Sequence, residues 1–334
     1  MSEPLALRRP RVALRAGQRA LLPLLGILLL GAIFNANGAF FRWQTHAALL
    51  REVSVYGILA CGMTVVIVSG GIDLAVGSLL GLCAVSFALL TLPLGLPAAL
   101  ALVAVLALGA AAGALAGFLI ARLQLPPFIV TLALLVFARG LAKQLSGGQK
   151  VSTYLQGADG QFSRLAVPEL YSQLDARVLG GNLSVVTLVF AACAGLSWVV
   201  LQRQRVGRYL YALGGNAQAA RLSGVPVRAT LCFAYAFSGF CAAVAGICQA
   251  AQELQGDPET GAGYELDAIA MVVLGGTRLS GGSGGIGWTV IGVLTLGYLQ
   301  KVLSLNAFSS ELRLMLTGVI LVLALLFQRR SAPS

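Results

Sequence analysis

Reactive and charged side chains are what this chain has least of. Its 334 residues include twelve Asp and Glu and a single histidine, His46. Charged residues make up only 10% of the chain, against about 25% in an ordinary soluble domain. With one histidine, and neither a partner nucleophile nor a metal set beside the paired acids Glu265 and Asp267, neither a metal centre nor a membrane-embedded enzyme is expected. The six cysteines, Cys61, Cys83, Cys193, Cys232, Cys241 and Cys248, all lie inside apolar runs without metal-type spacing. They read as small apolar fillers.

A nucleotide site is missing too. Leu145-Ser146-Gly147-Gly148-Gln149 reproduces the signature pentapeptide of ABC ATPases. The fold that uses it also needs a phosphate loop, in which Gly-Lys precedes Ser or Thr. The lysines here are Lys143, Lys150 and Lys301, and none follows a glycine. The pentapeptide is a coincidence, and no cofactor is expected. The formal net charge of +11 does not form one basic patch with interleaved aromatics, which argues against nucleic acid.

What is present is apolar surface. The chain is 58% hydrophobic with a mean hydropathy of +0.87. No soluble fold of this size could hide so much, so lipid is the expected solvent. Ten apolar stretches can be marked: Ala20–Phe34, Ser54–Ser69, Leu74–Leu92, Pro97–Ala121, Pro127–Leu145, Leu183–Leu201, Ala229–Ala251, Tyr264–Gly275, Ile286–Leu305 and Leu312–Phe327. The expected fold class is therefore all-α, a polytopic membrane protein with about ten transmembrane helices. Several stretches are shorter than the roughly 20 residues of a full crossing, and the eighth reads as a broken or re-entrant helix. The 41 glycines suit close helix approach.

With the N-terminus inside, cytoplasmic segments hold fourteen Lys and Arg and outer segments five. The positive-inside rule then places both termini in the cytoplasm. No small-x-small cleavage site promptly follows the first run, so it reads as a retained span. The organisation is a basic tail (1–19), a transmembrane domain (20–328) and a short tail (329–334). Within the domain, 146–181 forms an outer loop, with a helix expected near Phe162 to Leu174, and 202–228 forms a basic inner loop.

Asp73 is the only acid between Glu52 and Asp159. A lone carboxylate near mid-membrane costs about 2.5–3.5 kcal/mol on insertion scales, which predicts that Asp73 sits near an interface, capping the next helix or paired. The pattern Val68-x-Gly70-Gly71-x-x-Leu74-x-x-Gly77-Ser78 recurs as Val273-x-Gly275-Gly276-x-x-Leu279-x-x-Gly282-Ser283. In so Gly-rich a chain the echo arises either by chance or by duplication, and a duplication would mark two interrupted helices flanking a transport path. In the inner loop, Ala219, Ala220, Arg221 and Leu222 form a short helix closed by Gly224 and Pro226, suited either to docking on a partner or to topology alone.

Four successive motifs carry a resemblance: Gly70 to Ser78; Leu125-Pro126-Pro127-Phe128-Ile129-Val130-Thr131-Leu132 with Ala138-Arg139-Gly140; Gly214-Gly215-Asn216-x-x-Ala219-Ala220-Arg221-Leu222-Ser223-Gly224-Val225; and Tyr264-Glu265-Leu266-Asp267-Ala268-Ile269-Ala270 with Gly275-Gly276-Thr277. From about Glu52 to Phe327 the chain resembles the ribose-type ABC sugar permeases. Arg278 and Ser283 depart from it, standing where the family often has serine and arginine. The resemblance implies an ABC importer permease fold, a second permease subunit (identical or a paralogue), a cytoplasmic ABC ATPase, a periplasmic sugar-binding protein and a sugar substrate in the bacterial inner membrane. It makes Ala219, Ala220, Arg221, Leu222 and Gly224 the coupling helix, and Asp73, Phe128 and Asp267 candidates for the path or gate. The alternative is an ion-coupled secondary carrier of a small hydroxylated solute, for which the central spans offer few ionisable sites.

Overall fold

The computed structural model describes residues 12–156, 162–316 and 318–319. The helices in chain order are α1 (Val12–Ile33), α2 (Trp43–Val68), α3 (Val76–Thr91), α4 (Ala98–Leu123), α5 (Pro127–Ser146), α6 (Glu169–Asp175), α7 (Val185–Gln202), α8 (Arg205–Gly215), α9 (Ala217–Leu222), α10 (Val227–Glu253), α11 (Tyr264–Leu274) and α12 (Ile286–Leu305). Residues 310–316 are helical as well. Six of these helices, α2, α4, α5, α7, α10 and α12, are long and apolar enough to cross a bilayer; Ala20–Ile33 and α3 are shorter apolar helices. The chain is a polytopic membrane protein.

The ends of these helices follow from local chemistry. Gln124 adopts a left-handed conformation (φ 55°) to end α4, and the Pro126–Pro127 pair starts α5 at once. Gly147 (φ 63°) ends α5. Leu145 to Gln149 is thus a helix stop, with the Gly148 amide donating to the Lys143 carbonyl at 2.7 Å.

Helix α2 is the axis of the bundle: 83% of its most apolar window is buried, against 22% for α4 and for α5, which lie at its outside. It packs against α7, α10, α11 and α12. Helix α4 lies along α10 through Gly109, Gly113 and Gly117; a methyl group at Gly113 would sit 2.1 Å from the Tyr235 carbonyl oxygen. Backbones can approach this closely only through glycine.

Two ends of the bundle can be distinguished. At one lie α8, α9 and the α4–α5 turn; at the other lie α6 and residues 147–156 and 162–184 around it. Residue 162 begins a strand rather than the expected helix. Six short strands pair antiparallel: β1 (Val151–Ser152) with β6 (Gln255–Gly256), β2 (Tyr154–Gln156) with β3 (Phe162–Arg164), and β4 (Arg177–Val178) with β5 (Leu183–Ser184). The chain is therefore mostly helical rather than wholly so. Pro168 explains the late helix, since it pushes Val167 out of helical conformation and opens α6 at Glu169. Tyr171 of α6 stacks on Phe87 (centroids 5.2 Å) and shares a 2.8 Å hydrogen bond with Thr91. Burial pushes its phenol up to about 12, so it stays protonated at neutral pH.

Candidate functional site

The chain reverses after α2 at Gly70 (φ 87°), and residues 71–73 then run without regular structure into the bundle. Gly71 lies so close to Tyr235 that a methyl group there would meet the phenol oxygen at 2.4 Å. Asp73 is only 1% exposed. Its Oδ2 accepts from the Ser238 hydroxyl at 2.8 Å and its Oδ1 from the Ala75 amide at 3.0 Å. Ser238 lies about 16 Å from the Val227 end of α10, a helix about 40 Å long. Asp73 is therefore enclosed by the bundle, capped and paired as its charge predicted. The extended segment carries it inward, and the hydroxyl and amide satisfy it there; the expected cap survives as the bond to Ala75, just ahead of α3.

A second break faces the first. After β6, residues 257–263 form a strap along α3, where Thr260 abuts Gly81 and Gly261 (φ 82°) abuts Gly77. A methyl group at Gly77 would sit 2.1 Å from the Gly261 carbonyl oxygen. Helix α11 starts three residues later, so the N-terminal ends of the short helices α3 and α11 meet inside the protein. The positive dipole ends of both helices favour the electron-rich oxygens of a polar solute there.

Side chains ring this meeting point. Tyr56 and Tyr264 have ring centroids 4.3 Å apart, and Asp267, one turn into α11, lies near Tyr56 and Glu265. Arg139 of α5 donates to the Pro258 carbonyl and, at 2.8 Å, to that of Thr260. Lys143–Glu259 (2.6 Å) and Lys150–Asp257 (3.1 Å) fasten the outer part of the strap. The structure thus brings Asp73 and Asp267 to the two breaks. Phe128 is apart, 55% exposed on the first turn of α5; Thr131, one turn on, is the residue that reaches the break, 3.4 Å from the Ile72 carbonyl.

The two echoed segments touch at the α9 end. The Gly282 amide donates to the Val68 carbonyl at 2.9 Å. Gly214, at the end of α8, fits against both: a methyl group there would lie 2.0 Å from the Val68 oxygen and 2.5 Å from the Gly282 nitrogen. Tyr211 of α8 donates to the Gly284 carbonyl at 3.0 Å. Helix α9 follows directly, capped by Asn216, whose Oδ1 accepts from Ala219 at 2.9 Å, and closed by Gly224 (φ 79°). Ala220 is buried against the bundle, while Arg221 is exposed and Leu222 is 90% exposed. Of the five residues of the coupling set, Ala219, Arg221, Leu222 and Gly224 are exposed and free to meet a partner; Ala220 is not.

Comparison with known proteins places this architecture. Residues 46–325 match the family described as branched-chain amino acid transport system / permease component. The ribose import permease protein of Escherichia coli (strain K12) is 38% identical over 320 residues, covering 94% of each chain. The chain belongs to the ribose-type ABC permease family. Further relatives are the ribose import permease protein of Bacillus subtilis (strain 168), 35% identical with 99% of each chain covered, and an autoinducer 2 import system permease protein of Yersinia pseudotuberculosis, 34% identical over 80% of this chain and 78% of that one. No solved structure matches. An ABC permease is a transport component rather than an enzyme, and membership implies an ATPase and a periplasmic binding protein as partners. Membership also decides against the ion-coupled carrier.

Proposed function

We propose that this ABC permease carries a monosaccharide or similar hydroxylated solute inward across the inner membrane by alternating access, paired with a second permease subunit. Relatives named for ribose import and for autoinducer 2 import support a small polar cargo. The observation that carries the reading is the mid-bundle meeting of α3 and α11, tied through glycine turns to α9. ATP-driven movement of α9 would shift Gly214, and with it both breaks, opening the meeting point to one face and then the other. Asp73 and Asp267, with Tyr56 and Tyr264, line or gate the path, and Phe128 faces the second subunit.

About ten crossings complete the reading: α1, α2, α3, α4, α5, α7, α10, α11, α12 and Leu312–Phe327, the last of which lies largely outside the described residues, as do 1–11 and 320–334. The fourteen-to-five charge asymmetry supports α9 and both termini in the cytoplasm and 146–181 outside. Ala219, Ala220, Arg221, Leu222 and Gly224 form the coupling element.

Coupling supplies the test. Leu222→Glu and Arg221→Glu should cut labelled-sugar uptake about ten-fold or more and weaken ATPase co-purification, since burial of such an exposed anchor is worth roughly 2 kcal/mol. Ala220→Trp should act instead by unseating α9. Full uptake with full complex formation in the first two variants would reduce the loop to a connector.

A further inference from the structure

The glycine contact between α4 and α10 stops at Gly117, which packs on the Cys232 backbone; a methyl group there would lie 2.7 Å from the Cys232 Cα. Beyond it, toward the α9 end, the two helices leave a groove. Its inner part, about 220 Å³, is walled by Phe118, Ala121, Ala229 and Cys232, with Arg122 and Arg228 at the rim. It opens into a wider cavity of about 660 Å³ that Arg221, Gln124, Arg228 and Ala229 border. Arg122, Arg221 and Arg228 are exposed, and none of the ion pairs among the described residues involves them. The chain itself explains this, because neither 74–158 nor 176–252 contains an acid.

We infer that this groove binds an anionic phospholipid. The phosphate would sit between Arg122 and Arg228, with Arg221 within reach of the headgroup, and an acyl chain would lie along Phe118 and Cys232. Two features select a lipid over an acidic protein partner. The inner wall is almost wholly apolar and continues into the lipid-facing side of α4, where Phe118 is 53% exposed and Leu115 55%. The cations stand at the ends of two membrane helices, the depth of a phosphate layer. A bound lipid would then join α4 and α10 to α9 through Arg221, so that membrane charge would adjust how firmly the coupling helix is seated.

The test titrates the full-length chain, in neutral detergent, with phosphatidylglycerol or with phosphatidylcholine of the same acyl chains, and counts bound lipid by native mass spectrometry. Phosphatidylglycerol should be retained and phosphatidylcholine lost. A basic residue beside an anionic headgroup strengthens binding about five-fold, so Arg122→Gln with Arg228→Gln should weaken it about 25-fold. Ala229→Trp, which fills the groove without altering charge, should also weaken it. Arg203→Gln, outside the groove, should not. Equal retention of both lipids, or unchanged phosphatidylglycerol affinity in the double variant and in Ala229→Trp, overturns the inference. Displacement of the lipid by millimolar glycerol 1-phosphate would also overturn it, indicating a soluble-phosphate site. So would loss of the ATPase from the double variant with lipid retained, indicating a protein-docking face.

Discussion

The two ends of the bundle are held by opposite means. At the α6 end, ion pairs fasten the surface: Arg51 with Asp175, Lys143 with Glu259, Lys150 with Asp257 and Lys301 with Glu52. At the α9 end, backbone meets backbone through Gly70, Gly214, Gly281 and Gly282. Exposed ion pairs contribute about 0–1 kcal/mol each and can part and re-form individually. Close glycine contacts have two arrangements, fitted or clashing. One end can therefore yield gradually while the other moves as a unit, as the coupling role proposed for α9 requires.

The comparison breaks most severely at Gly214. Gly214→Val should abolish uptake and lower the melting temperature, since forcing a side chain into packed backbone costs about 1–3 kcal/mol or more. Uptake like wild type would mean that the junction is not tightly fitted. Asp73→Ala should come next. It leaves the Ser238 hydroxyl buried without its acceptor, a loss of about 1–3 kcal/mol readable by thermal unfolding, and Asp73→Asn should recover part of it. The smallest effect belongs to the strap. Lys143→Gln should cost under about 1 kcal/mol. Raising salt from 0.1 to 1 M, which shortens the screening length from about 10 to about 3 Å, should speed hydrogen exchange in 255–263 and leave 275–285 unchanged. Equal responses in the two segments would erase the distinction between the ends.

Most of the helical layout was legible because apolar runs report helix interiors directly: the stretches at 127–145 and 286–305 match α5 and α12 within a residue. Helix α9 was legible for a different reason, since Gly224 and Pro226 are local stop signals. The partner of Asp73 was not. It is Ser238, 165 residues away, and a lone carboxylate in an apolar stretch carries no mark of a distant partner. Tyr56, Arg139 and Ser238 escaped notice as site residues for the same reason. Each is unremarkable in its own window and matters only where α10 and the strap fold back on α3. The orientation of Ala220 was hidden because a six-residue helix has too few positions to show which side is buried.

The buried extended stretch at 71–73 also bears on how the protein is made. Its peptide groups cannot stand bare in hydrocarbon. Thr131 of α5 reaches the Ile72 carbonyl too, but two of the groups that satisfy the segment, the Ser238 hydroxyl on Asp73 and the Tyr235 phenol on the Ile72 carbonyl, belong to α10. Helix α10 leaves the ribosome about 150 residues after α3 begins, which at about 5–20 residues per second is a delay of roughly 8–30 s. Through that interval the α2–α3 segment has to be sheltered, by the insertion machinery or by a shallower temporary position. Biogenesis of this permease thus contains a waiting step set by the distance in sequence between a carboxylate and its hydroxyl.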